Sequence, residues 1–342
     1  MRKVKALVLL SGGLDSMLAV RVLRAQGIEV TGICFTSNFF SCDKAKKAAK
    51  ILNISLKIKD ISKEILKIVK NPSSGYGKHL NPCIDCHSLM IKIAGEIMKK
   101  ENFNIIATGE VLGERPFSQN KDALAKVEKL AGFGVLRPLS AKLLPETNFE
   151  KKGLVKRGRL FNIKGRRREQ QFELAEKYKI SEFPSPDGGC LLTDPGFNER
   201  LIKTLEYWPD CSVNDIELLK YGRVFWLKTE DDGAKVLVII GRNEKESEML
   251  KKLAIENDII VEPEEIPGPT SIIRFKNEDL RMKNSEIKLK TITIPKKLNL
   301  NTLELDKEKN IEENIRIVSL LTGWYAVKAR GKKVKFDIKI IN

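Results

Sequence analysis

The chain has 342 residues, of which 42% are hydrophobic and 31% charged, a composition typical of a globular protein with two or three domains. It contains no apolar run near the roughly 18 residues that a membrane-spanning helix needs, and its first residues lead directly into a strand-like segment without a signal peptide. We therefore expect a cytoplasmic protein with no membrane partner, and the net charge of +17 favours a polyanion such as nucleic acid as partner.

Residues 1–150 alternate between strand-like and helix-like patterns. The predicted strands are 6–10, 29–35, 54–58 and 104–108. The predicted helices are 14–25, 43–52, 61–69 and 88–100. Strands separated by helices pair in parallel through right-handed crossovers, so we predict a Rossmann-like α/β fold with helices on both faces of a parallel sheet. A ligand then binds beyond the carboxyl ends of the strands.

The sequence after residue 150 changes in composition. Between residues 151 and 180 it carries 11 Lys and Arg against 3 Asp and Glu, with one predicted helix at 167–178. Further strands are predicted at 236–240 and 258–261, around a helix at 244–255. The C-terminal part is thus expected to be a smaller α+β domain. The predicted domains are a nucleotide-binding domain at 1–150, a basic segment packed on it at 151–205, an RNA-binding domain at 206–275 and a small basic β-rich region at 276–342.

The most informative motif is Ser11-Gly12-Gly13-Leu14-Asp15-Ser16, which follows the first predicted strand. Its glycines can turn backbone N–H groups toward a phosphate, and the helix that follows adds its positive N-terminal end. The two serines add hydroxyl donors. Because the loop contains no lysine, it is not a phosphate loop of the Walker type.

A second motif, N-P-C-I-D-C-H at 81–87, places Cys83 and Cys86 at C-x-x-C spacing before a predicted helix. Cys190 follows two glycines and is the third cysteine of the candidate site. In a cytoplasmic protein, such cysteines are expected to be metal ligands or reactive thiols rather than disulfides. Of the others, Cys34 is predicted to be a core residue, Cys42 a partly reactive thiol at a helix start, and Cys211 a poor fourth ligand.

Together with A-T-G-E-V-L-G-E-R-P-F-S-Q (107–119) and G-G-C-L-L-T-D-P (188–195), these motifs resemble the PP-loop tRNA thiouridine synthases over residues 1–205. The resemblance is closest to stand-alone ThiI-like relatives of tRNA 4-thiouridine synthase that lack its usual N-terminal RNA-binding domain. It implies that residues 11–16 bind ATP, that Asp15 orients ATP with Mg²⁺, and that cleavage between the α and β phosphates adenylates a tRNA uridine.

The same resemblance suggests how sulfur is carried. Related tRNA thiolases bind a [4Fe-4S] cluster through a C-x-x-C and one distant cysteine, the pattern of Cys83, Cys86 and Cys190. Three protein ligands leave one iron open for a sulfide. Two alternatives stay open: a persulfide relay between Cys83 and Cys190, and a zinc site with His79 or His87 as fourth ligand. The sulfur donor is expected to be free sulfide, a cysteine desulfurase or a persulfide carrier.

Other side chains complete the predicted site. Phe35, Thr108 and Gly109 lie where predicted strands end and are assigned to ATP binding. Glu110 replaces the histidine of T-G-H in related thiolases, and it could bind Mg²⁺, polarise a ribose or be a solvated loop carboxylate. Arg115 could stabilise the leaving pyrophosphate, because a guanidinium contacts two oxygens at once, or it could anchor a loop. The predicted catalytic residues are Asp15, Cys83, Cys190, Arg115 and Glu110.

The basic segment is predicted to follow tRNA phosphates, with a solvated basic face as the alternative. Its assigned residues are Lys151, Lys152, Lys156, Arg157, Arg159, Arg166, Arg167 and Arg168. Because aromatic residues are few there (Phe161 and Phe172), recognition through backbone and shape is predicted rather than base stacking. Residues 221–274 weakly resemble the RNA-binding domain of the NFACT family.

The expected activity is ATP-dependent transfer of sulfur to a tRNA uridine, giving 4-thiouridine at position 8. A tRNA 2-thiouridylase with a persulfide relay is the enzymatic alternative. A zinc-containing RNA-binding protein with a nucleotide-sensing loop is the alternative from another class. The sequence predicts no oligomeric state.

Overall fold

The structure is a computed structural model that describes residues 3–184, 189–230, 233–276 and 291–341. The chain divides into two compact units, Met1–Asn198 and Glu199–Asn342. This division lies close to residue 205, where the sequence analysis placed the end of the basic segment. The predicted segments 1–150 and 151–205 share the first unit almost entirely.

The first unit contains a parallel sheet flanked by helices, which confirms the predicted fold class. Its strands are β1 (Lys5–Leu9), β2 (Glu29–Thr36), β3 (Leu56–Asp60) and β4 (Ile105–Thr108). Its helices are α1 (Leu14–Arg24), α2 (Asp43–Leu52), α3 (Ser62–Lys70), α4 (Cys83–Lys100), α5 (Lys121–Ala131), α6 (Asn148–Lys151) and α7 (Glu169–Lys177). The division between the units lies within α8 (Pro195–Tyr207).

The strands of this sheet lie in the order β3-β2-β1-β4, and every neighbouring pair is parallel. Val8 of β1 lies opposite Gly32 of β2 and Ala107 of β4. Ala6, Leu7 and Val8 are all fully buried, although successive side chains of a strand point to opposite faces. Both faces of β1 are therefore covered, and the carboxyl ends of β1 and β4 meet at one edge.

Helix α4 begins at Cys83, whereas the sequence predicted a helix from residue 88. Pro82 occupies the N-cap position, which suits a residue that cannot donate a backbone hydrogen bond. In the first turn, buried Asp85 accepts hydrogen bonds from the hydroxyls of Ser73 (2.7 Å) and Ser74 (2.8 Å). These contacts fix the start of the helix, so the C-x-x-C lies on a helical turn and not in a loop.

Cys34 and Cys42 form a disulfide, with their Cα atoms 6.0 Å apart. The prediction that the cysteines avoid disulfides is therefore wrong for this pair. Cys34 lies near the carboxyl end of β2, and the chain turns back so that Cys42 becomes the N-cap of α2. This return brings the two sulfurs together, a proximity that the pattern of apolar residues does not reveal.

The second unit is built on one mixed sheet. Its strands are β5 (Arg223–Thr229), β6 (Lys235–Ile240), β7 (Ile259–Pro263), β8 (Ser271–Arg274), β9 (Thr291–Thr293), β10 (Glu308–Lys309) and β11 (Lys333–Ile340). Its helices are α9 (Val213–Leu218), α10 (Glu244–Leu253) and α11 (Ile311–Tyr325). The strand order is β10-β5-β6-β8-β7-β11-β9.

This sheet crosses the boundary predicted at residue 275. β7 pairs with β11 in antiparallel register, and β5 pairs with β10 in parallel. Ile315, Val318 and Leu321 of α11 pack in the same core as strand residues from both sides of that boundary. The structure therefore places the predicted segments 206–275 and 276–342 in one unit.

Inside the second unit, the Arg274 side chain is 3% exposed and donates hydrogen bonds to Asp258 (2.7 and 2.9 Å) and Asp215 (2.8 Å). Burial of so many charges requires complete pairing, which this geometry supplies. Among the described residues of the whole chain, no helix is long and apolar enough to cross a membrane.

Candidate active site

The loop 11–16 connects the end of β1 to the start of α1. The Ser16 hydroxyl donates to the Gly13 carbonyl (2.8 Å) and accepts from the Gly12 N–H (3.2 Å). Gly13 occupies the N-cap of α1 without a side-chain cap, so the first N–H groups of this helix are left for an anion. The loop therefore has the shape and the donors of a phosphate site.

Because they lack a Cβ atom, two glycines allow backbone segments to approach closely at this loop. Gly12 has a φ of +86°, and a Cβ there would overlap the backbone of Lys44 in α2. A Cβ on Gly109, just beyond β4, would overlap the backbone of Asp15 and Ser16. Thr108 and Gly109 thus lie at the nucleotide loop as predicted from strand order. Phe35 also lies at this edge, but its side chain is buried.

The two carboxylate oxygens of Asp15 have different surroundings. Its Oδ2 lies 3.4 Å from Nη2 of Arg168, whereas its buried Oδ1 has no hydrogen-bond partner. Burial raises the pKa of the carboxyl, and the nearby Arg168 opposes only part of that shift. A buried, unsatisfied carboxylate oxygen beside a phosphate-binding loop fits a Mg²⁺ ligand.

The contact of Arg168 with Asp15 was not predicted, because the sequence analysis assigned this arginine to RNA. Nothing in the sequence signals a pairing between residues so far apart.

Cys83, Cys86 and Cys190 are free thiols that influence one another electrostatically. Burial raises the pKa of Cys86, and the neighbouring Cys190 and Cys83 raise it further. Burial likewise raises the pKa of Cys190 to about 11. The three predicted ligands are partly buried and influence one another's charge, and a bound cation would stabilise their thiolates. Gly188 of the predicted motif lies outside the described residues.

The described residues can be compared with the ligand arrangements of metal sites. Within the ranges that the structure describes, no group of three or more His, Cys, Asp or Glu side chains has the arrangement of a metal site. Neither the zinc alternative with His79 or His87 nor the three-cysteine cluster therefore has a preformed ligand arrangement among these residues.

Glu110 is the centre of a buried network. Its Oε1 lies 3.0 Å from Nδ1 of His87, and its Oε2 accepts from Arg137 Nε (2.9 Å) and the Thr108 hydroxyl (3.0 Å). Burial alone would raise its pKa, but Arg137 and the hydrogen bond with His87 outweigh burial and lower the pKa to about 2. Arg137 also pairs with Glu128. Both oxygens of Glu110 are thus engaged in orienting neighbours, a role that sequence analysis missed together with Arg137.

Arg115 connects the two halves of the site. Its backbone N–H donates to the Gln119 side chain (3.1 Å) within the loop after β4. Its guanidinium favours the charged forms of both Asp15 and Cys190.

Most of the predicted RNA-binding residues are exposed. The exposed ones are Lys151, Lys152, Lys156, Arg159, Arg166 and Arg167. The other two have partners within the protein, because Arg157 pairs with Glu150 (2.5 Å) and Arg168 with Asp15. The exposed set is available to phosphates.

A parallel sheet with a glycine-containing loop between its first strand and first helix is an arrangement that suits nucleotide binding. Residues 2–142 match the family model described as Thiamine biosynthesis protein (ThiI). The part of the chain that carries the loop 11–16, the C-x-x-C and Glu110 is therefore ThiI-like, as its motifs predicted. Cys190 and the basic segment lie beyond the matched residues.

Three solved structures show weaker likeness. A predicted subunit of tRNA methyltransferase from Methanocaldococcus jannaschii is 22% identical, with 40% of this chain and 69% of that chain covered and a TM-score of 0.31. A 4-thiouridine synthetase–RNA complex with bound ATP is 22% identical, with 62% and 52% covered and a TM-score of 0.38. An NMN synthetase from Francisella tularensis is 14% identical, with 53% and 79% covered and a TM-score of 0.28. These values are too low to assign an activity, and the chain spans about half of the 4-thiouridine synthetase.

Proposed function

We propose that this protein is an ATP-dependent tRNA sulfurtransferase. The observation that carries the proposal is the loop 11–16, whose uncapped helix N-terminus and buried Asp15 Oδ1 suit a nucleotide, in the same unit as the thiols of Cys83, Cys86 and Cys190. A site that adenylates a base oxygen and then delivers sulfur needs both groups beside one substrate. The ThiI-like match over residues 2–142 supports the same activity.

In the first step, a carbonyl oxygen of a uridine attacks the α phosphorus of ATP, and pyrophosphate leaves. The N–H groups of the loop 11–16 would hold the phosphates, and the free Oδ1 of Asp15 would hold Mg²⁺. Arg115 would stabilise the charge of the pyrophosphate. In the second step, sulfide attacks the activated carbon, and the uridine oxygen leaves with AMP. No net oxidation or reduction occurs.

For sulfur delivery, we propose a [4Fe-4S] cluster held by Cys83, Cys86 and Cys190. Such a cluster would leave one iron without a protein ligand, and that iron could present sulfide to the adenylated base. The chain supplies three partly buried free thiols that influence one another's charge, and burial raises the pKa of both Cys86 and Cys190. A persulfide relay between Cys83 and Cys190 is the alternative, and each turnover would then leave a disulfide for a thiol reductant to reopen.

The proposed product is 4-thiouridine at position 8, with 2-thiouridine as the enzymatic alternative. The exposed basic residues of 151–167 would bind tRNA phosphates, and the second unit would contribute further RNA contacts, as its weak resemblance to the NFACT domain suggests. The sulfur donor would be free sulfide or a persulfide-carrying protein.

The activity is tested by incubating the protein with ATP, sulfide and unmodified tRNA, followed by digestion to nucleosides and mass spectrometry. Asp15→Asn should abolish pyrophosphate release and thiouridine formation. Asp122→Asn is the matched control, because Asp122 occupies the corresponding first-turn position of α5 and is exposed. ATP binding without pyrophosphate release by the unmodified protein would instead identify a nucleotide-sensing RNA-binding protein.

The cluster is tested separately by anaerobic purification with iron and acid-labile sulfide analysis. The protein should be brown, and Cys83→Ala, Cys86→Ala or Cys190→Ala should remove the colour. Cys211→Ala, a buried cysteine of the second unit, should retain it. A colourless protein with bound zinc would contradict the cluster, and thiouridine formation by a metal-free protein would favour the persulfide relay.

A further inference from the structure

Phe172 presents an exposed aromatic ring close to the nucleotide loop. The residue is 50% exposed, and its ring stacks on that of Phe183 with centroids 6.1 Å apart and an interplanar angle of 27°. The guanidinium of Arg168, one helical turn away, lies 5.6 Å from the Phe172 centroid. The ring is thus held by two partners and still faces solvent.

The same arginine connects this ring to the candidate active site. Arg168 contacts Asp15 of the loop 11–16 at 3.4 Å, and it precedes helix α7 as its N-cap residue. The buried side of α7 carries Gln171 and Leu174, whereas Phe172 lies beside it on the exposed side and is joined to Asp15 through the Arg168 side chain. An object resting on the Phe172 ring would lie next to the nucleotide loop.

The surroundings favour a nucleic-acid base over other planar molecules. Arg166 and Arg167 are exposed immediately before α7, and residues 151–180 carry 11 Lys and Arg against 3 Asp and Glu. Aromatic rings next to a positively charged groove are the usual means of holding an unpaired strand, because bases stack on the rings while cations contact the phosphates. Charge and ring chemistry here therefore suit RNA.

A second exposed phenylalanine lies on another segment of the site. Phe117 is 71% exposed and follows Arg115 by two residues, in the loop whose arginine acts on Asp15 and Cys190. Its exposed ring, in the loop that carries Arg115, is therefore available to a second base of the same unpaired segment.

We propose that Phe172, supported by Phe183 and Arg168, is a stacking platform for an unpaired base of the tRNA substrate, and that Phe117 stacks on a second base. The platform holds the unpaired segment against the nucleotide loop during adenylation. This inference rests on the proposed function. It replaces the sequence-based expectation that RNA is recognised through backbone and shape alone.

The test measures tRNA binding directly, by fluorescence anisotropy with unmodified tRNA, and the KM for ATP in pyrophosphate release. Phe172→Ala should weaken tRNA binding about tenfold, as expected when one base no longer has a ring to stack on. Phe172→Tyr, which keeps the ring, should bind within about twofold of the unmodified protein. Leu130→Ala is the control, because Leu130 is a comparably exposed apolar residue on α5. Phe117→Ala should have a smaller effect in the same direction.

The outcomes separate the two proposals. An unmodified protein that does not bind tRNA would contradict the proposed function itself. Normal tRNA binding by Phe172→Ala would overturn the platform and leave the sulfurtransferase standing. A raised KM for ATP with unchanged tRNA binding would show that Phe172 stacks on adenine, which also overturns the inference. Circular dichroism of each variant establishes that its fold is unchanged.

Discussion

The two units differ sharply in charge. Residues 1–198 contain 35 Lys and Arg against 20 Asp and Glu, whereas residues 199–342 contain 27 against 25. Almost all of the surplus that suggests a polyanionic partner therefore belongs to the unit with the nucleotide loop. The second unit is nearly neutral, so any contact that it makes with RNA must depend on local groups rather than on its overall field.

The units also use buried charge differently. In the first, the Glu110 network lies beside the free thiols and orients His87. In the second, Arg274 and its two aspartates tie β8 to α9 and to the start of β7. Both networks should contribute to stability, but only the first lies among the candidate site residues, and this contrast can be tested.

The largest effect is expected from Arg274→Met in the second unit. The substitution leaves two buried aspartates without their cation, which should cost about 3–5 kcal/mol of unfolding free energy. Chemical denaturation followed by tryptophan fluorescence measures it. Arg242→Met removes an exposed pair with Glu246 and should cost less than about 1 kcal/mol. Equal losses of unfolding free energy in the two variants would show that the buried ion pairs of Arg274 stabilise the second unit no more than an exposed ion pair does.

A somewhat smaller effect should follow from Glu110→Gln in the first unit. The pKa of Glu110 is lowered from 4.5 to about 2, so the folded state favours the charged carboxylate. Its stabilisation is present above pH 4.5 and is lost as the pH falls toward 2. At pH 7 the variant should lose about 3 kcal/mol, and its stability should fall less steeply in acid.

The measurement for Glu110→Gln is the unfolding free energy as a function of pH. The exposed Glu146→Gln variant is the control. If unfolding free energy varied with pH in the same way for Glu110→Gln and the unmodified protein, the Glu110 network would not contribute the stability expected of it.

Gly12→Ala tests whether nucleotide chemistry belongs to the first unit. The added Cβ would meet the backbone of Lys44 at a positive φ, so the loop must shift and activity should fall about 100-fold. Gly27 also has a positive φ, but a Cβ there meets no atom within 4 Å. Gly27→Ala should therefore keep its activity. Initial rates of pyrophosphate release compare the two, and similar rates would mean that the loop does not bind the nucleotide.

The smallest effect is expected when positive charges are removed from the basic segment of the first unit. Arg166→Ala with Arg167→Ala should weaken tRNA binding about tenfold and lower the slope of log Kd against log salt by about one for each phosphate that is no longer neutralised. Lys332→Ala with Lys333→Ala removes two exposed charges from the second unit and should change the slope little. Binding titrations at several salt concentrations decide between the units, and a reversed order would place the phosphate contacts in the second unit.

Local patterns predicted much of the first unit. The apolar run before Ser11 and the glycines after it gave the strand, the turn and the start of α1, and helix α2 has the predicted bounds Asp43–Leu52. These features depend on neighbours in sequence. The early start of α4 escaped prediction because Asp85 is held by Ser73 and Ser74, which belong to the preceding loop.

Long-range contacts explain the other failures. The pairing of Arg168 with Asp15, the Cys34–Cys42 disulfide and the pairing of β7 with β11 all join segments whose sequences carry no sign of each other. Spacing singled out Cys83 and Cys86 as candidates, whereas no local pattern joins Glu110 to His87 and Arg137.

The start of α4 at Cys83 has a consequence for how the thiol group assembles. Cys83 and Cys86 are three residues apart in the first turn, so one rigid helix fixes their relative positions. Cys190 comes from a distant segment and joins them only when the whole first unit has folded. Secondary structure alone thus positions two of the three thiols, and the third joins them only through the tertiary fold, so an incorrectly folded chain would lack one ligand of the proposed cluster.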